Sequence, residues 1–151
     1  MSWDGQDQEK PVVDHAVHAA QKLAHFPDYR VAVARDNELQ IDYDIPISCP
    51  MPTCFHQAME HLHKRFNTDK LSYEITESKG GNRHVTILLP EDMPIVERVA
   101  WQAVFGSDAR REAMSLVSIA KNEKNPVLFF EHMDRKPIVM ESERPGRKFR
   151  E

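Results

Sequence analysis

Asp42 and Asp44 stand two residues apart in Leu39-Gln40-Ile41-Asp42-Tyr43-Asp44. On a strand, residues i and i+2 share a face, so the two carboxylates lie side by side and repel. A divalent cation relieves that repulsion, and Mg²⁺ is commonly held by one or two carboxylates plus phosphate oxygens. A solvated sheet face explains the same pair without a metal, because alternation alone fills it with polar residues. A second cluster is Ser78-Lys79-Gly80-Gly81-Asn82-Arg83-His84. Two glycines in a hairpin expose backbone N–H groups, Lys79 and Arg83 add positive charge at its mouth, and His84 offers an N–H. Together they suit a triphosphate or a nucleic-acid backbone. The competing reading is a tight turn with solvated charges and a strand histidine. A third cluster, Cys49, Cys54, His56, His61 and His63, carries zinc-type donors, but not at the spacing of a standard finger. A buried Cys54 on a His-rich polar helix surface accounts for it, and zinc is not expected. Asp108 and Arg111 are expected to pair at i, i+3 on one helix.

The elements that must position these groups follow from periodicity. Residues 1–10 are polar and read as a flexible arm. From Pro11, Val13, Ala16, Val17, Ala20 and Leu23 recur at helical spacing, and the helix should stop before Pro27. A strand pair, 29–34 and 39–45, is expected around an Asp36-Asn37 turn. A helix capped by Thr53 runs to about Phe66 on a Phe55, Met59, Leu62, Phe66 stripe. Residues 71–77 and 83–89 alternate on either side of Lys79-Gly80-Gly81-Asn82, a strong hairpin signal. Two helices follow, separated by Gly106. They are expected to bury Val96, Val99, Ala100 and Ala103, and then Ala113, Leu116, Val117 and Ala120. Residues 127–131 read as a buried strand, and 136–151 as a basic, loosely ordered tail.

The fold class expected from this order is α+β: an RRM/ferredoxin-like βαββαβ core over residues 11–135, with an N-terminal helix and an extra strand. In that topology the first and third core strands are central neighbours and the last strand flanks the first. Asp42 and Asp44 then lie beside His84 on an open sheet face, with the end of the 127–131 strand close by.

The stretch from Leu39 to Asp44 resembles the hhhDhD motif of the archaeo-eukaryotic primase (primase-polymerase) superfamily. Ser78 to His84, with the apolar strand after it, is similar to that family's second motif, a small residue and a histidine on a strand. The stretches Glu97-Arg98-Val99-Ala100, Gly106-Ser107-Asp108, Arg111-Glu112 and Leu128 to Glu131 resemble those of small bacteriophage proteins. The resemblance covers about residues 39–131. It implies that Asp42 and Asp44 bind catalytic Mg²⁺ or Mn²⁺ and that His84 contacts the incoming nucleotide's phosphates. It implies a third carboxylate at the end of a later strand, for which Glu131 is the candidate and Asp134 the lesser one. Ser78, Lys79, Gly80, Gly81 and Arg83 would cradle the nucleotide. The implied activity is metal-dependent nucleotidyl transfer in DNA replication, with a nucleoside triphosphate or single-stranded nucleic acid as partner. The helical or zinc-bearing modules that many active primases carry are not expected in a stretch of this length.

Composition bounds these readings. A chain of 151 residues is one domain in size, and 40% apolar with 29% charged residues is a globular balance. The net charge of -4 argues against broad, non-specific nucleic-acid binding. No apolar run suggests a membrane span or a signal peptide, and two cysteines make no disulfide framework, so a cytoplasmic location is expected. No Walker loop, G-x-S-x-G or Rossmann fingerprint occurs. The other classes in play are a non-catalytic nucleic-acid-binding domain and a protein-interaction domain. Sheet-face RNA binding without metal is disfavoured, since Asp42, Asp44 and Glu74 would repel phosphate.

Overall fold

Strict alternation of apolar and polar residues turns three segments into half-buried strands, and their apolar sides build one core. The computed structural model describes residues 13–78 and 80–144. Among them lie, in order, α1 (His15–Leu23), β1 (Tyr29–Val33), β2 (Glu38–Pro46), α2 (Thr53–Phe66), β3 (Lys70–Glu77), β4 (Asn82–Leu88), α3 (Ile95–Val104), α4 (Ala109–Ala120), β5 (Leu128–His132) and β6 (Ile138–Glu143). Leu39, Ile41, Leu71, Tyr73, Val85 and Ile87 from the sheet pack against Phe55, Ala58, Met59 and Leu62 of α2. The architecture is thus α+β with two antiparallel sheets, ordered β2-β4-β3-β6 and β1-β5. It is compatible with a ferredoxin-like arrangement through β4, and β2 and β4 are neighbours as expected. The 1–10 arm and the start of the first helix lie outside the described residues.

Four expectations are corrected. First, β1 and β2 form no hairpin. β1 pairs with β5 instead, Val31 opposite Phe130. The turn between β1 and β2 is pinned by the buried Arg98, whose guanidinium donates to Arg35 O at 2.8 Å and Met93 O at 3.0 Å. Second, β5 does not hydrogen-bond to β2. The outer edge of β2 is satisfied by groups from α3, α4 and the turn between them. Gln40 N–H donates to Gln102 Oε1 at 3.0 Å, and Asp42 N–H to Ser107 Oγ at 2.9 Å. The carbonyls of Gln40 and Asp42 accept from Arg111 Nη1 at 2.9 Å and from Asp108 N–H at 2.8 Å. A buried sheet edge must find such partners, and here three side chains and one backbone N–H replace a strand.

Third, the helical faces are turned. α3 buries Arg98, Val99 and Gln102, and α4 buries Glu112, Ser115 and Ser118. Val96, Ala100, Ala103, Ala113, Leu116, Val117 and Ala120 are exposed. Val99 is buried as expected, but the other inward side chains are polar because they serve the β2 edge. On α1 only Ala19 is buried, not the Val13–Leu23 stripe. Fourth, residues 138–143 form β6, an edge strand on β3 with Tyr73 opposite Met140, where a loose tail was expected. Residues 145–151 lie outside the described residues.

The face of the sheet away from α2 is not open. Phe129 of β5 stacks on His84 with ring centroids 3.9 Å apart, and Gln40 Nε2 donates to Ala32 O of β1 at 2.9 Å. Arg135, just after β5, pairs with Glu74 of β3. The β1-β5 ribbon therefore lies against this face.

Candidate functional site

Where β2 and β4 leave the cover of the ribbon, a cleft of about 990 Å³ opens. It is lined by Asp42, Asp44, His84, Ser78, Gly80 and Asn82 of the sheet and its hairpin, and by residues of α1, α4 and the end of the β1-β5 ribbon. Period two on β2 puts both aspartates on the cleft side, and the β2-β4 register sets Asp42 directly opposite His84. His84 Nε2 lies 3.6 Å from Asp42 Oδ1. Asp44 Oδ1 accepts from Asn82 Nδ2 at 2.7 Å, so the hairpin orients the outer carboxylate.

The Asp42 backbone is held at both polar groups by Ser107 and Asp108. The turn that brings them there needs Gly106: its φ is +83°, and a Cβ would sit 2.8 Å from Cys54 Sγ. Burial raises the Asp42 carboxyl above its usual range. Arg111 opposes that shift, while Asp108, Asp44 and Glu112 add to it. His84 is pushed down to about 4 by burial, reinforced by the positive charge of Arg111, so its ring is neutral near pH 7. Its Nδ1 is buried without a hydrogen-bond partner.

The remaining expected residues are placed as follows. Glu131 is buried and does not line the cleft. Its carboxylate pairs with Arg30 at 3.5 Å and Arg135 at 3.3 Å, on the β3 side of the ribbon. Asp134 is exposed in the turn that follows β5. Arg83 points away from the cleft: it donates to Ile47 O at 2.6 Å and to Cys49 O, tying down the loop before α2. Gly81 has φ +82° and closes the hairpin with an N–H bond of 3.0 Å to Ser78 O. Lys79 lies outside the described residues. The zinc-type donors do not converge: Cys54 Sγ donates to Phe105 O at 3.3 Å and Cys49 is exposed. His63 is fully buried rather than on the helix surface, with its ring nitrogens 3.0 Å from Thr68 O and 2.9 Å from Ser142 Oγ.

Sequence reasoning missed Asp108 as a third carboxylate at the cleft. It also paired Asp108 wrongly: Asp108 Oδ1 accepts the Arg111 backbone N–H at 2.9 Å, whereas the Arg111 guanidinium pairs with Glu112 at 2.7 Å. The signal was the Gly106-Ser107-Asp108 turn, legible as a helix cap but not as a neighbour of β2.

Among the described residues, no group of three or more His, Cys, Asp or Glu side chains is placed to hold a metal ion. Two hard carboxylates two residues apart on one strand face, the inner one raised first by burial and further by its acidic neighbours, do suit Mg²⁺ or Mn²⁺ completed by water and phosphate oxygens. Among the described residues, no helix is long and apolar enough to cross a membrane. Compared with protein-family models, curated proteins and solved structures, the chain matches none of them.

Proposed function

We propose that this chain is a divalent-cation-dependent, nucleotide-binding domain of the primase-polymerase type, built on an RRM-like core, with nucleotidyl transfer as its reaction class. The observation that carries the reading is the register of Asp42 opposite His84, with Asp44 two residues on, all opening onto one cleft of about 990 Å³. Asp42 and Asp44 would take Mg²⁺ or Mn²⁺. Such an ion, when bound, polarises phosphoryl oxygens and activates a hydroxyl. Asn82 fixes the rotamer of Asp44. Ser107 and Asp108 fix the backbone of Asp42, so the pair is preorganised rather than assembled on binding. The neutral His84 ring, clamped between Asp42 and Phe129, supports the inner carboxylate and offers one N–H. Glu131 has no part in this site, because its charge is already matched by two arginines.

Calorimetric titration with a nucleoside triphosphate tests the reading. Binding is expected with Mn²⁺, is lost in EDTA, and weakens at least about tenfold in the Asp42→Ala/Asp44→Ala double variant. A folded protein that binds no nucleotide with Mn²⁺ present sinks it. A second reading, a protein-interaction domain, is favoured by the exposed apolar residues of α3 and α4, Val96, Val104, Leu116 and Val117. It expects neither metal nor nucleotide dependence. Metal-free binding across the sheet, as in an RNA-binding module, is disfavoured, since Phe129 covers the centre of that face.

A further inference from the structure

We infer that the cleft has a second half, formed by Phe130 of β5 and Met114 of α4, that seats the flat base of a nucleotide whose phosphates lie toward Asp42 and Asp44. The inference rests on the nucleotide-binding reading and extends it to the part of the ligand that the aspartates do not touch.

The cleft's lining is amphipathic. It includes the carboxylates and Asn82, and also the apolar side chains Phe130, Met114 and Leu23. Phe130 is 39% exposed and Met114 58% exposed. Single exposed apolar residues are ordinary, but large ones gathered in one concavity mark a site for an apolar group. Alternation on β5 explains how Phe130 gets there. Phe129 and Glu131 face the sheet, so Phe130 must face away from it. A methionine lining the same cleft as a ring suits a flat ligand, because its unbranched thioether adapts to either face of a heterocycle.

Charge narrows the ligand further. Lys22 of α1 and Arg110 of α4 also line the cleft, and neither has an ion-pair partner among the described residues. Arg111 is different, being committed to Gln40 O, Leu128 O and Glu112. An exposed aromatic ring, two uncommitted cations and a carboxylate pair that suits a divalent ion, all lining one cleft, call for one chemistry, a heterocyclic base joined to phosphate. A free nucleoside triphosphate supplies it, and so does the terminal nucleotide of a single strand. Contact through a ring face does not distinguish bases, so little base preference is expected.

The test compares Mn²⁺-dependent binding of inorganic tripolyphosphate, ATP, CTP and a short deoxythymidine oligomer to the full chain and to its Phe130→Ala and Met114→Ala variants. ATP and CTP are expected to bind about tenfold more tightly than tripolyphosphate. Phe130→Ala should erase that margin and leave tripolyphosphate unchanged. Met114→Ala, on an exposed helix face where folding is not at stake, should reduce it. Competition between the oligomer and ATP assigns the seat to a strand terminus as well, and binding of ATP alone assigns it to the free nucleotide. Equal affinity for ATP and tripolyphosphate in the unaltered chain overturns the base seat while leaving the metal site standing. So does an equal loss for both ligands in Phe130→Ala. If neither tripolyphosphate nor ATP nor CTP binds with Mn²⁺, the nucleotide reading falls and the base seat with it.

Discussion

At the scale of single residues, the site depends on charges kept out of balance. His84 is stacked on Phe129 and has a buried Nδ1 with no hydrogen-bond partner, so burial first, and the charge of Arg111 second, oppose its protonation. Its pKa of about 4 lies below the ordinary value of 6.5. Between those two values the unfolded chain binds a proton that the folded chain refuses. Stability therefore rises with pH across that window, and is lost as pH falls from 6.5 toward 4. The loss attributable to this one ring is on the order of 3 kcal/mol. His84→Phe keeps a flat ring against Phe129 and removes the titration. Urea unfolding at a series of pH values should show the acid limb flattened in the variant, with little change at pH 7; parallel pH profiles would contradict the assignment. The roles of Asp42, Asp44 and His84 as neighbours were legible in the sequence, because period two on a strand and a two-glycine hairpin leave little freedom. The exclusion of Arg83 and Glu131 was not legible. Their partners, the 47–51 loop and Arg30 with Arg135, come from segments whose positions no local pattern specifies.

Elements carry the sharpest contrast between pattern and fold. The strands and α2 obey their periodicities, since each buries an apolar set in the common core. α3 and α4 do not, and the reason is the edge of β2. Four backbone groups there need partners, and a helix face that supplies them has to be polar. Gln102 is the centre of this arrangement: it accepts from Gln40 N–H and donates to Glu112 at 2.6 Å, with no exposure to water. Gln102→Leu should cost about 3 kcal/mol, since it leaves a buried N–H and one side of a buried carboxylate unsatisfied. Leu116→Ser, on the exposed face of α4, should change stability by no more than about 0.5 kcal/mol. Hydrophobic periodicity alone ranks the two substitutions in the opposite order. Thermal or urea denaturation of both variants decides between a helix read as core and a helix read as edge cap. β6 escaped notice for a related reason. Most of its residues are exposed on both faces, so no alternation marks it, and only its pairing with β3 makes it a strand.

In the whole molecule, the four-stranded sheet with α2 is one well-buried unit, and the β1-β5 ribbon is a second unit laid on its far face. A two-stranded ribbon is marginal by itself. It persists here because Phe129 stacks on His84, Arg135 ties it to Glu74, and Arg111 reaches Leu128 O at 3.2 Å while holding Gln40 O on β2. These attachments are few and local, so the ribbon should open without unfolding the sheet beneath it. Native-state hydrogen exchange should place the amides of β1 and β5 in a cooperative unit of lower opening free energy than those of β3 and β4. Arg111→Ala should widen that gap. Removing it leaves Glu112 without its cation and both strands without their shared donor, a loss of about 3 kcal/mol that falls on the ribbon first. Uniform protection across all six strands, unchanged in the variant, would mean that the two sheets form one cooperative unit. The consequence reaches the cleft, because its floor belongs to the sheet and one of its walls to the ribbon. An opening ribbon uncovers His84 and carries Phe130 away from the aspartates, so a ligand that bridges floor and wall should raise the protection of β1 and β5 more than that of β3. The same exchange experiment, repeated with Mn²⁺ and a nucleoside triphosphate, reads that coupling directly.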